Sequence, residues 1–159
     1  MRHRIIIGGA EGRTRSRVRL IKKSITAALK AENVNVRCEI NVLLTDDEGI
    51  REINRSMRGT DKTTDVLSFP MFEFTPGAFS AADGETDPKS RCLPLGDMAL
   101  NIDRVRSQGE EYGHGEERET AYLTVHSMLH LLGYDHEDEG ENKKLMRSRE
   151  EEIMKIMGI

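Results

Sequence analysis

Apolar positions recur along this chain in short blocks whose spacing switches between that of a strand and that of a helix. Ile5, Ile6 and Ile7, entered from Arg4 and stopped by Gly8-Gly9, suit a short first strand. From Thr14 to Ala31, the residues Val18, Ile21, Ile25, Ala28 and Leu29 fall at helical spacing and predict one apolar face. Val36 to Leu44 carries β-branched residues in a strand-like pattern. Thr45-Asp46-Asp47-Glu48 then offers an N-cap and an acidic first turn to a helix running through Met57. Arg58 to Thr64 is polar and turn-like, and Asp65-Val66-Leu67-Ser68-Phe69 reads as a strand stopped by Pro70.

Periodicity is lost between Thr75 and Pro94, which holds three prolines and two glycines and reads as one long loop. A last strand, Leu95 to Asn101, leads to a helix near Ile102 to Gln108. Gly115 to Leu132 predicts a strong helix ended by Gly133. The final helix, Glu141 to Met157, is charged on most faces, with Leu145, Met146, Ile153 and Ile156 as its apolar contacts. The expectation is an α+β fold over residues 1–159: a small mixed sheet of about four strands with helices packed on it, in one domain.

Composition narrows the class. With 159 residues, the chain can bury a core without disulfides or a structural metal, and apolar residues at 36% cluster in the periodic segments rather than being dispersed. The basic-then-apolar start, Met1 to Ile7, breaks at Gly8-Gly9, too early for the apolar core of a signal peptide. No apolar run is long enough to span a bilayer, and only Cys38 and Cys92 are present. A cytoplasmic protein without a membrane partner is expected. The net charge of −4 hides an uneven spread: eight Lys or Arg stand against Glu11 alone up to Lys23, and eight acidic residues against four basic ones from Asp135 to Glu152. Such asymmetry suits either a local nucleic-acid contact or solvated helix faces.

Chemistry concentrates in Val125-His126-Ser127-Met128-Leu129-His130-Leu131-Leu132-Gly133-Tyr134-Asp135-His136. Side chains four apart on a helix stand on one face, so His126 and His130 point at a common spot. Gly133 ends the helix and lets the chain return His136 to that spot. Three imidazoles with one open position is the arrangement of a catalytic zinc, whereas structural sites close with four ligands. One Zn2+ per chain, held by His126, His130 and His136, is therefore expected, with Asp135 either accepting a ring N–H or merely turning the chain. In zinc proteases of similar spacing a glutamate beside the first histidine is the base. Ser127 stands there, which disfavours peptide hydrolysis by that route.

These residues resemble the YbeY family, the bacterial rRNA-maturation endoribonucleases. The histidine run resembles the family's H-G-x-L-H-L-x-G-Y-D-H, with Ser127 in place of the glycine. Ile53 to Pro70 resembles its N-x-x-x-R-x-x-D-x-x-T-D-V-L-S-F-P block, and Leu95-Gly96-Asp97 its L-G-D strand. The segment from Thr75 to Pro94 is longer than the family's pattern. The resemblance implies a small mixed sheet with helices on both sides and a metal-bearing cleft. It implies single-strand-specific, metal-dependent RNA cleavage in 16S rRNA 3′-end maturation and ribosome quality control. It also places Arg58 on the family's functional arginine. An arginine suits a phosphodiester, because its planar fork holds phosphate oxygens and stays charged; an ion pair with Asp61 or Asp65 is the other role open to it. His114 is a weak candidate for the proton acceptor and otherwise a surface residue. Two further readings remain: a metal-dependent hydrolase of another substrate, and a non-enzymatic ribosome-assembly factor with a structural zinc.

Overall fold

The computed structural model describes residues 2–135 and 140–159. The described elements run β1 (Arg4–Gly8), α1 (Arg15–Ala31), β2 (Cys38–Thr45), α2 (Asp47–Arg58), β3 (Val66–Pro70), a 3-10 turn (Ala81–Asp83), β4 (Leu93–Asn101), α3 (Ile102–Glu111), α4 (Gly115–Leu131) and α5 (Glu141–Met157). This is the expected α+β fold. The four strands form one mixed sheet in the order β1-β2-β4-β3, with β1, β2 and β4 parallel and β3 antiparallel to β4.

The strands follow from alternation. Cys38, Ile40, Val42 and Leu44 are buried, while their β2 neighbours Glu39, Asn41, Leu43 and Thr45 are wholly or partly accessible. Helix α1 is the crossover between parallel β1 and β2, as a parallel pair requires. It starts where the Thr14 hydroxyl accepts from the Arg17 amide (3.1 Å), and it buries Ile21, Ile25, Ala28 and Leu29. Each of the two isoleucines and the leucine, removed from water, contributes about 1.5–3 kcal/mol.

Two cores flank the sheet. The larger joins Ile40, Val42, Leu44, Met98 and Leu100 to apolar side chains of α1, α3, α4 and α5. The smaller lies under α2, where Ile50 meets Leu67 and Ala99. Helix α4 touches α1, α3, α5 and β3, and is buried on most of its circumference. Among the described residues, no helix is long and apolar enough to cross a membrane.

Three local features differ from the expectation. Strand β4 starts at Leu93, and the segment before it contains the short Ala81–Asp83 turn and packs Phe74 and Phe79 on the larger core. Across from β2, the register shifts between Glu39 and Ile40, and Leu95 is the extra residue of the bulge. Gly96 follows at φ +137°, where a Cβ would stand 2.2 Å from the Phe69 carbonyl oxygen. That contact explains the glycine of Leu95-Gly96-Asp97. In α5 the stripe is rotated. Met146, Ile153, Met154 and Met157 are buried, whereas Leu145 and Ile156 are 44% and 59% exposed. The buried face of α5 includes one carboxylate, Glu150.

Candidate metal centre and its cleft

The C-terminal half of α4 opens on a cleft of about 750 Å³. Its walls come from the end of α2 (Asn54, Arg58), from Thr64 through β3, from Phe72 to Phe74, and from His126, His130 and the turn Gly133 to Asp135. The turn is tight. At Gly133 φ is +100°, and a Cβ would meet the Phe74 carbonyl oxygen at 2.0 Å, so only glycine lets this chain pass under the long loop.

His126 and His130 meet as their spacing predicts: their Nε2 atoms are 3.1 Å apart and their rings stand edge to face. What sets their chemistry is the other nitrogen of each ring. His126 Nδ1 lies 2.5 Å from Glu150 Oε2. His130 Nδ1 lies 2.9 Å from the Tyr134 carbonyl oxygen. A carbonyl only accepts, so His130 Nδ1 carries the proton, and the carboxylate assigns the same tautomer to His126. Both Nε2 lone pairs are thereby aimed at one point. Facing lone pairs at 3.1 Å repel, and a cation between them removes the repulsion. Two nitrogens at ~2.0–2.1 Å from a tetrahedral zinc stand about 3.3–3.4 Å apart, so the pair is spaced to hold one. The donor set fits a divalent transition metal.

The anchors are themselves fixed. Glu150 is 4% exposed and also accepts from the Tyr122 hydroxyl (3.1 Å), whose ring stacks on His126. Burial, then the Glu150 charge, raises the Tyr122 pKa, so the phenol remains a donor. Tyr134 is 4% exposed and donates its hydroxyl to Glu32, which pairs with Arg149 at 2.7 Å. Its pKa is raised by burial and by Glu32. One residue thus ties the turn to the end of α1 while its carbonyl orients His130.

Among the described residues, no three His, Cys, Asp or Glu side chains cluster to hold a metal. The third expected ligand, His136, lies outside the described residues. Asp135 lines the cleft, and among the described residues Glu150 and the Tyr134 carbonyl accept from the His126 and His130 rings. Sequence reasoning missed Glu150. It hides in the surface-like run Glu150-Glu151-Glu152, and the available signal is its place four after Met146 and three before Ile153, inside the apolar stripe.

Arg58 ends α2, is exposed, and lines the cleft. Gly59 turns the chain at φ +68°, and the Asn54 side chain holds the returning segment through the Lys62 carbonyl (3.0 Å). Of the two carboxylates considered as Arg58 partners, Asp61 is engaged by Arg51 through two bonds (2.7 and 3.2 Å), and Asp65 caps the Val66 amide (2.8 Å). Ser127 is fully buried and shares a 2.6 Å hydrogen bond with Ser68 of the cleft wall, so the serine tightens the α4–β3 contact. His114 is not a plain surface residue. It precedes α4 and bonds the buried Glu119 carboxylate through Nε2 (2.7 Å), and Gln108 bonds the other oxygen of that carboxylate (2.9 Å).

Residues 10–158 match the family model described as Endoribonuclease YbeY. A protein named Endoribonuclease YbeY from Caldanaerobacter subterraneus subsp. tengcongensis is 48% identical over 140 residues, covering 88% of this chain and 87% of that protein. One of the same name from Clostridium botulinum is 48% identical over 145 residues, with 87% of each chain covered. Among solved structures, the solution structure of TM1509 from Thermotoga maritima superposes with a TM-score of 0.58 at 27% identity, over 96% of this chain and 91% of that one.

Proposed function

This chain belongs to the YbeY family of endoribonucleases, and from that membership we propose that it cuts single-stranded RNA in the His126–Arg58 cleft with a bound zinc ion. Its biological substrate, in this reading, is the 3′ end of 16S rRNA, presented in the cytoplasm by the ribosome or its small subunit. The observation that supports it most is the imidazole pair, with each Nδ1 committed to a fixed acceptor and both Nε2 atoms facing a cleft that an arginine overlooks.

His126, His130 and His136 would hold the ion. When bound, zinc supplies Lewis acidity toward a phosphoryl oxygen and a readily ionised water near neutral pH. The chain's own residues do the rest. Glu150 and the Tyr134 carbonyl keep the imidazoles in the ligating tautomer. Arg58, at the rim, binds the phosphodiester through two N–H groups and offsets the charge that builds as the P–O bond breaks. A cleft of about 750 Å³ suits the splayed nucleotides of a single strand better than a duplex.

The test is cleavage of defined single- and double-stranded RNAs by highly purified protein, with and without a chelator. Cutting of the single strand alone, lost on chelation and restored by zinc, is expected. Undiminished cutting in chelator, or by His126→Ala, would remove the metal from the reaction. Zinc-loaded protein that binds ribosomal subunits and cuts no RNA would favour the assembly-factor reading.

A further inference from the structure

The far edge of the sheet carries a second surface that the cleft chemistry does not use. Two adjoining depressions share Lys22. One is lined by Arg13, Arg15, Arg19 and Lys22 of the α1 entry and helix. The other is lined by Arg2, Arg4, Arg37 and Lys22, with His3 between them. No carboxylate lines either depression. Arg4 pairs with Glu39 (3.2 Å), and Arg13 is spent on the Ile7 carbonyl. Among the described residues, Arg15, Arg19, Lys22 and Arg37 have no carboxylate partner, and all four are exposed. In a protein of net charge −4, that is a strong local concentration of positive charge.

The pattern also works against the helix that bears it. Helix α1 has no acidic residue in its first turn, where Arg15 and Arg17 stand against the backbone dipole, and Arg19 follows just beyond. Glu116 relieves Arg17 alone, at 3.0 Å. For Arg15 and Arg19, which have no such partner among the described residues, a local rule broken without compensation inside the fold points to a requirement outside it.

We propose that this strip is a second contact for RNA, binding the phosphate backbone of the substrate away from the cut. The proposal rests on the endoribonuclease reading for its choice of polyanion. The cleft lies against β3 and the strip beside β1, at opposite edges of the four-stranded sheet, and a single strand of a few tens of nucleotides is long enough to pass from one edge to the other. One RNA can therefore engage both, and the strip adds affinity without touching the reacting phosphate.

The experiment measures affinity for a single-stranded RNA of about 30 nucleotides against salt, in chelator so that no strand is cut. Wild type is compared with Arg15→Gln/Arg19→Gln/Lys22→Gln. Each lost contact lowers the slope of log K against log salt by about 0.7, so the variant's slope should be shallower by about 2, with affinity down on the order of 100-fold near 0.1 M salt. At saturating RNA, with metal restored, the variant's kcat should equal that of wild type. Equal slopes would overturn the proposal, as would a strip that binds vesicles of anionic phospholipid but not RNA. Absence of cleavage by wild type would count against the nuclease reading and leave the binding comparison intact.

Discussion

The two ends of the sheet handle charge in opposite ways. At the β3 edge two carboxylates behind the cleft are buried and answered: Glu150 by Tyr122 and His126, Glu32 by Tyr134 and Arg149. At the β1 edge the cations are exposed, and most meet no carboxylate. Buried, fully bonded networks fix geometry to fractions of an ångström, and one lost partner strands a charge. Exposed cations fix little, act through the summed field, and fade with salt. The molecule thus separates a site built for orientation from a surface built for attraction.

The largest expected effect tests the orienting end. His126→Ala should lose the metal altogether, and Glu150→Gln, which keeps the side-chain shape, should weaken metal affinity by about 10- to 100-fold. Competition for zinc against a coloured chelator measures this without any RNA. A Glu150→Gln protein that holds zinc as wild type does would make Glu150 a packing residue, and the comparison between the two edges would lose its basis.

Arg58 stands between the two regimes, exposed like the strip but placed at the cleft. Arg58→Ala should keep metal content and thermal stability while cutting kcat by about 100-fold, and Arg58→Lys should recover part of it. An unfolded protein, or one of full activity, would return Arg58 to a structural role.

The smallest effect is a titration inside the strip. His3 has its pKa lowered from the ordinary value of 6.5 by burial, then by the terminal amino group and by Arg37, with Arg2, Arg4 and Lys22 lining the same depression. Its Nδ1 accepts from the Cys38 amide at 3.0 Å. Because the folded value is depressed, His3 contributes stability that is present above pH 6.5 and fades as pH falls through the folded midpoint. RNA phosphates on the strip would offset the surrounding cations and move the midpoint up. NMR titration of His3 with and without RNA reads this, and a midpoint that RNA leaves unmoved places the phosphates elsewhere.

Much of this was legible in the chain. The β2 alternation, the cap and acidic first turn in Thr45-Asp46-Asp47-Glu48 and the helix stop at Gly133 are local signals, and local structure obeyed them. The His126–His130 approach follows from helical spacing alone. What stayed hidden depends on tertiary neighbours. Glu150 and Glu119 look like solvated charges until packing closes over them, because a carboxylate's burial is decided by donors that arrive from elsewhere: Tyr122 and His126 for one, His114 and Gln108 for the other. The rotation of α5 that leaves Leu145 and Ile156 outside has the same origin, since placing Glu150 against His126 fixes the helix phase at the expense of two apolar side chains.

The carboxylate behind His126 lies 24 residues further along the chain. During synthesis both imidazoles are therefore made before the group that orients the first of them. At ~5–20 residues per second, that interval lasts about 1–5 s. Until α5 docks, the growing chain carries the histidine pair without the carboxylate that orients its first member, so the geometry of the proposed metal site is completed late in folding.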